Sequence, residues 1–448
     1  MRRWIDVWIA AAVTGAVFVQ YELAGASLLP EGTGARDAAE VEVLTWETCL
    51  RRALESNPDL HSARLRVVAA EARARQARLW PNPSFELGLE EGPVNQGRFA
   101  EESKQTVGVA QTIPYPRKKA LEVQIERVGV QVGREALVGA RREWVRRLKL
   151  AYVGVLAGER VVLAAEEVVS TAEAMANALR EKVASGAVSD SELLRAEIQW
   201  MQARAGLVSF QRELWQARQQ LATGLGWESW RNVRVTGVLR EEPDAELLRD
   251  EPPNWLETHP ECAQARLDRD RARLERDRSR WLHYPDVTFW ARGGRQGPGD
   301  VALVEAGLTL PLPLWDRGRA RFDEAAARLE EAEAHLEGLR LRLCGEWQMW
   351  RQRLRSAAEQ VRLLRQEVVP RAERALALVR RGFEEGKFGF LDLLDTQRTL
   401  AEARLSLEQR VLELNVAQVE LEALTGRLDG LPSALASEPQ RVSRSMQP

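Results

Sequence analysis

The segment from about Lys118 to Ala184 contains no proline and carries an apolar heptad repeat, a pattern that predicts one uninterrupted α-helix. At 1.5 Å per residue, roughly 67 residues span on the order of 100 Å, which exceeds the dimensions of a globular domain. Two apolar seams follow its last two-thirds; they consist of Leu137, Trp144, Ala151, Gly158, Ala165, Ala172 and Leu179, and of Leu148, Val155, Val162, Val169, Ala176 and Val183. An ordinary long coiled coil explains this pattern as well as a more specialised helical architecture does.

The two halves of the chain resemble each other at an offset of about 200 residues. The stretch "VGVAQTIPYPRKKALE" matches "AGLTLPLPLWDRGRARF", and "SGAVSDSELLRAEIQ" matches "EGKFGFLDLLDTQ". Both halves are therefore predicted to contain the same elements in the same order. These are a helix (57–80 and 260–282), two short strands, a very long helical stretch, a glycine-marked turn and a second helix of about 40 residues.

These patterns divide the chain into a first repeat over 44–230, a Pro- and acid-rich linker over 231–257 and a second repeat over 258–428. A basic start, an apolar stretch and an Ala-x-Ala site predict a signal peptide over 1–26. An amphipathic first helix of the fold is the alternative for that segment. The tail, 429–448, lacks periodicity and is predicted to be disordered.

Four segments alternate apolar with small or polar residues, as strands do: "SFELGLE", "TVGVAQTI", "DVTFWAR" and "LVEAGLTL". Such alternation is typical of a half-buried strand, or of a strand that faces lipid on one side and water on the other. Four strands cannot close a barrel, and open edges are not tolerated in hydrocarbon. Membrane-spanning strands would therefore have to be pooled, and three chains would supply twelve. A four-stranded soluble hairpin layer is the alternative.

Composition argues against several classes of function. The formal net charge of −2 gives no reason to expect nucleic acid as a partner. Cys49, Cys262 and Cys344 form no CxxC motif and the four histidines include no close pair, so the sequence indicates neither a metal site nor a cofactor. With no Ser-His-Asp arrangement or phosphate loop in view, we expect a protein without enzymatic activity.

Two glycine-marked turns, near Gly186 and Gly386, join the long helix of each half to the helix that returns. After the second turn, Asp392 and Asp395 lie three residues apart among apolar residues, so both carboxylates share one helix face. Acids at a helix start are stabilised by the helix dipole. A plain capping role is therefore one interpretation of this pair.

The first-half counterpart carries Asp190, Glu192 and Arg195. Ser189 followed by Glu192 predicts a capping box at the start of the returning helix. A charge link between neighbouring hairpins, which would hold their tips closed, is the alternative for these three residues.

Four stretches, "NPSFELGLEEG", "QTIPYPRKKALE", "LPLPLWDRGRAR" and "GKFGFLDLLDTQ", resemble the signature stretches of the TolC-like outer-membrane efflux proteins, over residues 44–428. The second and third look most similar to the outer-membrane subunits of heavy-metal resistance systems of the cobalt-zinc-cadmium type. The resemblance implies a mostly α-helical fold with a small β part. Two tandem repeats would contribute long antiparallel coiled-coil helices to an α-barrel, and four strands per chain would enter a twelve-stranded trimeric β-barrel.

The same resemblance implies a location and partners. It implies a homotrimer in contact with outer-membrane lipid, with most of the chain in the periplasm. It also implies a periplasmic adaptor (membrane fusion) protein and an inner-membrane pump of the resistance-nodulation-division type as partners. The implied function is passive export of small solutes or metal cations. A soluble or peripheral coiled-coil scaffold and an exit duct for secreted proteins are the alternatives.

The family also implies roles for residues at the two turns. Asp392 and Asp395 match the paired aspartates that form a constriction ring at the pore aperture, which would act as an electronegative gate. The candidates for contact with the adaptor are Gly186, Val188, Gly386, Phe388 and Phe390. Packing of the apolar tip residues against each other is the alternative. Phe388 stands where some relatives carry an arginine that links hairpins, so a link built on that arginine is not expected here.

Overall fold

The fold is mostly α-helical with a small β part. The computed structural model describes residues 42–90, 104–185, 188–230, 233–249, 255–296 and 301–428. The predicted signal peptide, 1–26, and the predicted tail, 429–448, lie outside these residues. The helices are α1 (Trp46–Ser56), α2 (Pro58–Gln76), α3 (Pro116–Ala184), α4 (Asp190–Gly224), α5 (Trp255–Thr258), α6 (Pro260–Ser279), α7 (Arg319–Leu363), α8 (Val369–Glu384) and α9 (Phe390–Thr425). The strands are β1 (Glu42–Leu44), β2 (Ser84–Glu90), β3 (Lys104–Ile113), β4 (Val233–Val235), β5 (Val287–Gln296) and β6 (Val301–Thr309).

The long helix predicted from Lys118 to Ala184 is confirmed as α3, which has 69 residues. All residues of the two predicted heptad seams are buried or half-buried. Small residues let α3 and α4 approach closely, because a Cβ on Gly158 would lie only 3.1 Å from the Leu214 side chain and one on Gly154 would lie 3.7 Å from Ala217. Apolar seam packing, rather than local propensity, therefore stabilises this helical hairpin.

The second hairpin differs from the first because its long helix is interrupted. A π-turn, Leu364–Val368, separates α7 from α8, and the Val369 N–H donates to the Leu364 carbonyl oxygen five residues earlier. Pro370 follows directly, with no N–H to donate and a ring that would clash with the carbonyl of the preceding turn in a regular α-helix. The extra residue in the turn accommodates this proline, a distortion that the heptad pattern does not predict.

All four segments predicted as strands form one antiparallel sheet in the order β2-β3-β5-β6. Ser84 pairs with Ala110 near the end of β3, and Ile113 pairs with Val287 at the start of β5. Thr309, at the end of β6, pairs with Thr288. The first residues of β2 and β5 and the last residues of β3 and β6 therefore lie at one end of the sheet, which we call the base.

A second, two-stranded parallel sheet pairs β1 with β4 and was not predicted from the sequence. β1 precedes α1, whereas β4 lies within the segment predicted as a linker, 231–257, whose residues 233–249 pack against the helices. The Tyr152 hydroxyl donates to the Thr236 carbonyl oxygen at 2.5 Å. The Asn415 side chain accepts a hydrogen bond from the Arg240 N–H and donates one to the Arg240 carbonyl oxygen.

None of the helices in the described ranges combines the length and the apolar character that a membrane-spanning helix needs.

A buried ion pair joins the first and last long helices. The Lys149 ammonium on α3 lies 3.0 Å from a Glu422 carboxylate oxygen on α9, and the Glu422 side chain is only 7% exposed. Gln418 donates to the same carboxylate at 2.9 Å. Removing one partner of such a pair leaves a buried charge without compensation, which costs more than the pair contributes.

We predict that Glu422→Ala lowers the free energy of unfolding by about 3–5 kcal/mol, because the Lys149 ammonium loses its buried partner. Denaturant titration of the detergent-solubilised protein measures this change. As the control, Glu402→Ala removes a carboxylate from the exposed pair with Arg398 and is expected to cost less than about 1 kcal/mol. Equal losses in the two variants would contradict the assignment.

Candidate functional site

One face of the four-stranded sheet is apolar and exposed. The pairing register places Phe85 opposite Val109 and Phe289 opposite Leu308, so these side chains share one face. The exposed apolar residues of this face are Phe85, Leu87, Leu89, Val107, Val109, Phe289, Val304 and Leu308. We call them the apolar sheet face.

The opposite face of the same sheet is polar. A Glu86 carboxylate oxygen lies 2.7 Å from the Arg292 guanidinium, and a Glu305 carboxylate oxygen lies 2.6 Å from the Lys104 ammonium. The Arg292 guanidinium also lies 5.0 Å from the centre of the Trp290 ring. A sheet with one exposed apolar face and one charged face has the patterning of strands placed between lipid and water.

The tips of the two helical hairpins pack against each other. A small apolar cluster joins them; it consists of Ala176, Leu179, Ala196, Phe390 and Leu394. The Lys182 ammonium lies 4.6 Å from the centre of the Phe383 ring, which adds a cation–π contact between the hairpins. The Arg404 guanidinium contacts Glu373 at 2.8 Å and Glu167 at 3.4 Å, so it bridges the two hairpins.

Asp392 and Asp395 are both exposed in the first two turns of α9. The Asp392 carboxylate accepts a hydrogen bond from the Gly389 N–H at 2.9 Å, so this residue caps its own helix. Asp395 lies within electrostatic reach of Arg398, whose pKa is raised chiefly by its hydrogen bond with Glu402 and, to a smaller extent, by Asp395. Asp392 caps the helix and both carboxylates are exposed, so the structure is compatible with a capping role and with a constriction ring.

The predicted adaptor-contact residues differ in their exposure. Gly386 has a left-handed backbone (φ +73°) with open space around it, and Phe388 is 45% exposed. Val188 is half-buried against the apolar cluster. Gly186 lies outside the described residues.

Phe390, the fifth candidate for contact with the adaptor, is buried. Its side chain is only 4% exposed, because the first turn of α9 directs the ring into the cluster between the hairpins. Packing of tip residues against each other, the alternative interpretation, is what this position shows. Its burial depends on the neighbouring hairpin, which the sequence pattern does not reveal.

The capping box predicted at Ser189 and Glu192 is wrong. Ser189 does precede α4, but its hydroxyl contacts the Ser191 hydroxyl at 2.8 Å and makes no cap bond. Asp190, Glu192 and Arg195 form no ion pair with another residue in the described part of the chain. The hairpin contacts instead come from Lys182 and Arg404, whose partners are too distant in sequence to be predicted from local spacing.

The sheet with its apolar face and the long helical hairpins with joined tips are features of an outer-membrane channel protein. The sequence model of the outer membrane efflux protein family matches residues 49–227 and 252–427, so the chain belongs to this family. The family resemblance identified from the sequence motifs is thereby confirmed. The family consists of efflux ducts and not of enzymes, and it acts as trimeric channels within tripartite efflux systems.

Two curated relatives and one solved structure illustrate the similarity. The chain is 28% identical over 389 residues to the cobalt-zinc-cadmium resistance protein CzcC of Cupriavidus metallidurans, covering 86% of this chain and 90% of that protein. It is 24% identical over 301 residues to the nickel-cobalt-cadmium resistance protein NccC of Alcaligenes xylosoxydans, covering 67% and 68%. Its fold matches that of the outer membrane protein VceC of Vibrio cholerae with a TM-score of 0.70 at 18% identity, covering 85% and 96%.

We predict that Phe390→Ala accelerates amide hydrogen exchange at both hairpin tips by on the order of a hundredfold. Removing a buried phenylalanine costs about 3–5 kcal/mol, and about 1.4 kcal/mol corresponds to a factor of ten. Phe388→Ala, at the exposed neighbouring ring, is the matched control and should change exchange much less. Faster exchange in the control than in Phe390→Ala would contradict the assignment of the cluster.

Proposed function

We propose that this protein is the outer-membrane exit duct of a tripartite efflux system, with most of its chain in the periplasm. The main observation in support of this proposal is the apolar sheet face, on which eight large apolar side chains are exposed on one side of the four strands. Soluble proteins rarely leave so continuous an apolar surface uncovered. The face therefore favours contact with outer-membrane lipid over the soluble scaffold and the soluble hairpin layer.

The assembly we propose is a homotrimer. The strand order leaves β2 and β6 as the edges of the sheet, and three copies would join these edges into a twelve-stranded barrel. The helices of two tandem repeats per chain would form an α-barrel below it. Support comes from α4, whose exposed apolar residues recur at heptad spacing and are available to a neighbouring helix; they are Leu194, Met201, Val208 and Trp215.

The gate we propose is a ring of six carboxylates, Asp392 and Asp395 from each of three copies. Both side chains are exposed at a hairpin tip, where three-fold symmetry would bring the copies together. Such a ring attracts cations and is blocked by multivalent ones. Opening would separate the hairpins at the Lys182–Phe383 and Arg404 contacts, two discrete links that an adaptor can bias.

The partners we propose are a periplasmic adaptor protein and an inner-membrane pump of the resistance-nodulation-division type. The exposed tip residues Phe388 and Gly386, together with Val188, are the proposed adaptor contacts. A duct has no source of energy of its own, so export through it is passive and is driven by the pump. Metal cations are the proposed cargo class, because CzcC and NccC are metal-resistance proteins by name.

Cell fractionation tests the proposed location. The full-length protein is expected in outer membranes as a species whose mobility in denaturing gels changes on heating. Recovery of the entire protein in the soluble fraction, as an elongated dimer, would contradict the proposal and favour the coiled-coil scaffold.

We predict that replacing Asp392 and Asp395 together by alanine weakens divalent-cation block of single-channel current in planar bilayers by tenfold or more. A carboxylate about 4 Å from an ion contributes roughly 1 kcal/mol per unit charge even in water, and about 1.4 kcal/mol is a factor of ten. Glu402→Ala, an exposed acid further along α9, is the control and should leave block unchanged. Block that survives the double substitution would rule out the carboxylate ring.

A further inference from the structure

The segment that follows β6 is an exposed apolar arm at the base of the sheet. It runs from Leu310 to Trp315 outside the strands and helices. Pro311 and Pro313 favour extended backbone at the residues before them, and the Leu314 N–H donates to the Leu312 carbonyl oxygen at 2.9 Å, where the chain begins to bend. Its exposed apolar residues are Leu310, Leu312, Leu314 and Trp315. The Trp315 side chain is 93% exposed, so its large apolar surface is almost wholly uncovered in the single chain.

A pocket lies at the base of the sheet on the opposite edge. Its volume is about 440 Å³, which is ample for one indole ring. Apolar walls come from residues that include Trp80, Ile113, Pro114 and Val123, and two cationic side chains, Lys119 and Arg127, also line the pocket. Trp80 precedes β2, whereas the remaining residues belong to the end of β3 and the start of α3.

Trp315 does not occupy this pocket in its own chain, since its side chain is almost fully exposed. β2 and β6 are the two edges, separated by β3 and β5, so three interstrand spacings, or about 14 Å, lie between them. When identical sheets are joined edge to edge, β6 of one copy lies one spacing, about 5 Å, from β2 of the next. The two strands run in opposite directions, and both the end of β6 and the start of β2 lie at the base.

We propose that Trp315 of each copy occupies the pocket beside Trp80 of the next copy, an inference that rests on the homotrimer of the proposed function. The contact is head-to-tail, and three such contacts close a ring. The indole ring is covered by the apolar walls and lies near the Lys119 and Arg127 cations, which are attracted to the face of a tryptophan ring. The arm thus fastens neighbouring copies where the strands meet the helices.

Cysteine cross-linking in outer membranes tests the contact. Trp315→Cys is combined with Val123→Cys in a background in which Cys49, Cys262 and Cys344 are replaced by alanine. A short bifunctional thiol reagent is expected to give covalent dimers and trimers in denaturing gels. Trp315→Cys paired with Leu163→Cys, at an exposed site far along α3, is the matched control and should give none.

A trimer that resists dissociation but shows no cross-link between positions 315 and 123 overturns the docking while leaving the proposed function intact. Absence of any trimer overturns the proposed function itself. If lipid fills the pocket instead, the pair stays uncross-linked and Trp315→Cys reacts with a bilayer-dissolved maleimide, which also overturns the docking.

A second readout separates the contact from a general folding defect. In mild denaturing detergent, the trimer of Trp315→Ala is expected to dissociate at a lower temperature than the trimer of the unmodified protein. Trp315→Phe should restore much of this resistance to dissociation. Arg127→Gln should also lower the resistance of the trimer to dissociation. Unchanged resistance in Trp315→Ala would contradict the inference.

Discussion

Backbone hydrogen bonding at the two edges of the four-stranded sheet decides how this sheet can meet lipid. The sheet ends in β2 on one side and β6 on the other, and one of its faces is apolar and exposed. Each unsatisfied peptide group in hydrocarbon costs several kcal/mol, so a sheet that meets lipid through this face cannot keep its edges open. In the proposed homotrimer, pairing with the neighbouring copies would satisfy the peptide groups at both edges while the apolar face stays in contact with lipid.

α3 leads from the end of β3 to the tip of the first hairpin. α3 has 69 residues, so its two ends are on the order of 100 Å apart. α4 has 35 residues, and small residues of α3 such as Gly154 and Gly158 keep it close along the half of α3 that ends at the tip. At the tips the two hairpins share a small apolar cluster and a few exposed polar contacts. The limited size of this contact distinguishes it from the large core near β1 and β4. Tips held by few contacts are suited to a gate, because a partner of modest affinity can shift their equilibrium.

The π-turn at Leu364–Val368 gives the second hairpin a feature that the first lacks. Glu241 contacts Arg365 within this turn, and Arg160 of α3 lies 3.7 Å from the same Glu241 carboxylate. The segment between the halves therefore connects the irregular turn to the first hairpin. Sharp departures from α-helical geometry are often found where helices bend, and this one lies between the core and the tip of the second hairpin.

Periodicity made much of this fold predictable. The heptads of α3 and the alternation of the four strands are repeated many times along the chain, so single exceptions do not hide them. β1 and β4 have three residues each, too few for a pattern to emerge. The burial of Phe390 and the bridge made by Arg404 depend on residues far away in sequence. At Ser189 a local competitor, Ser191, replaced the predicted cap. Sequence reasoning thus located the tip but not the contacts that hold it.

Native mass spectrometry of the full-length protein, extracted from outer membranes in a mild detergent, tests whether three copies share one barrel. We expect a single species with three times the mass of the chain, since no single copy can satisfy both edges of its own sheet in lipid. A stable monomer under the same conditions would contradict it.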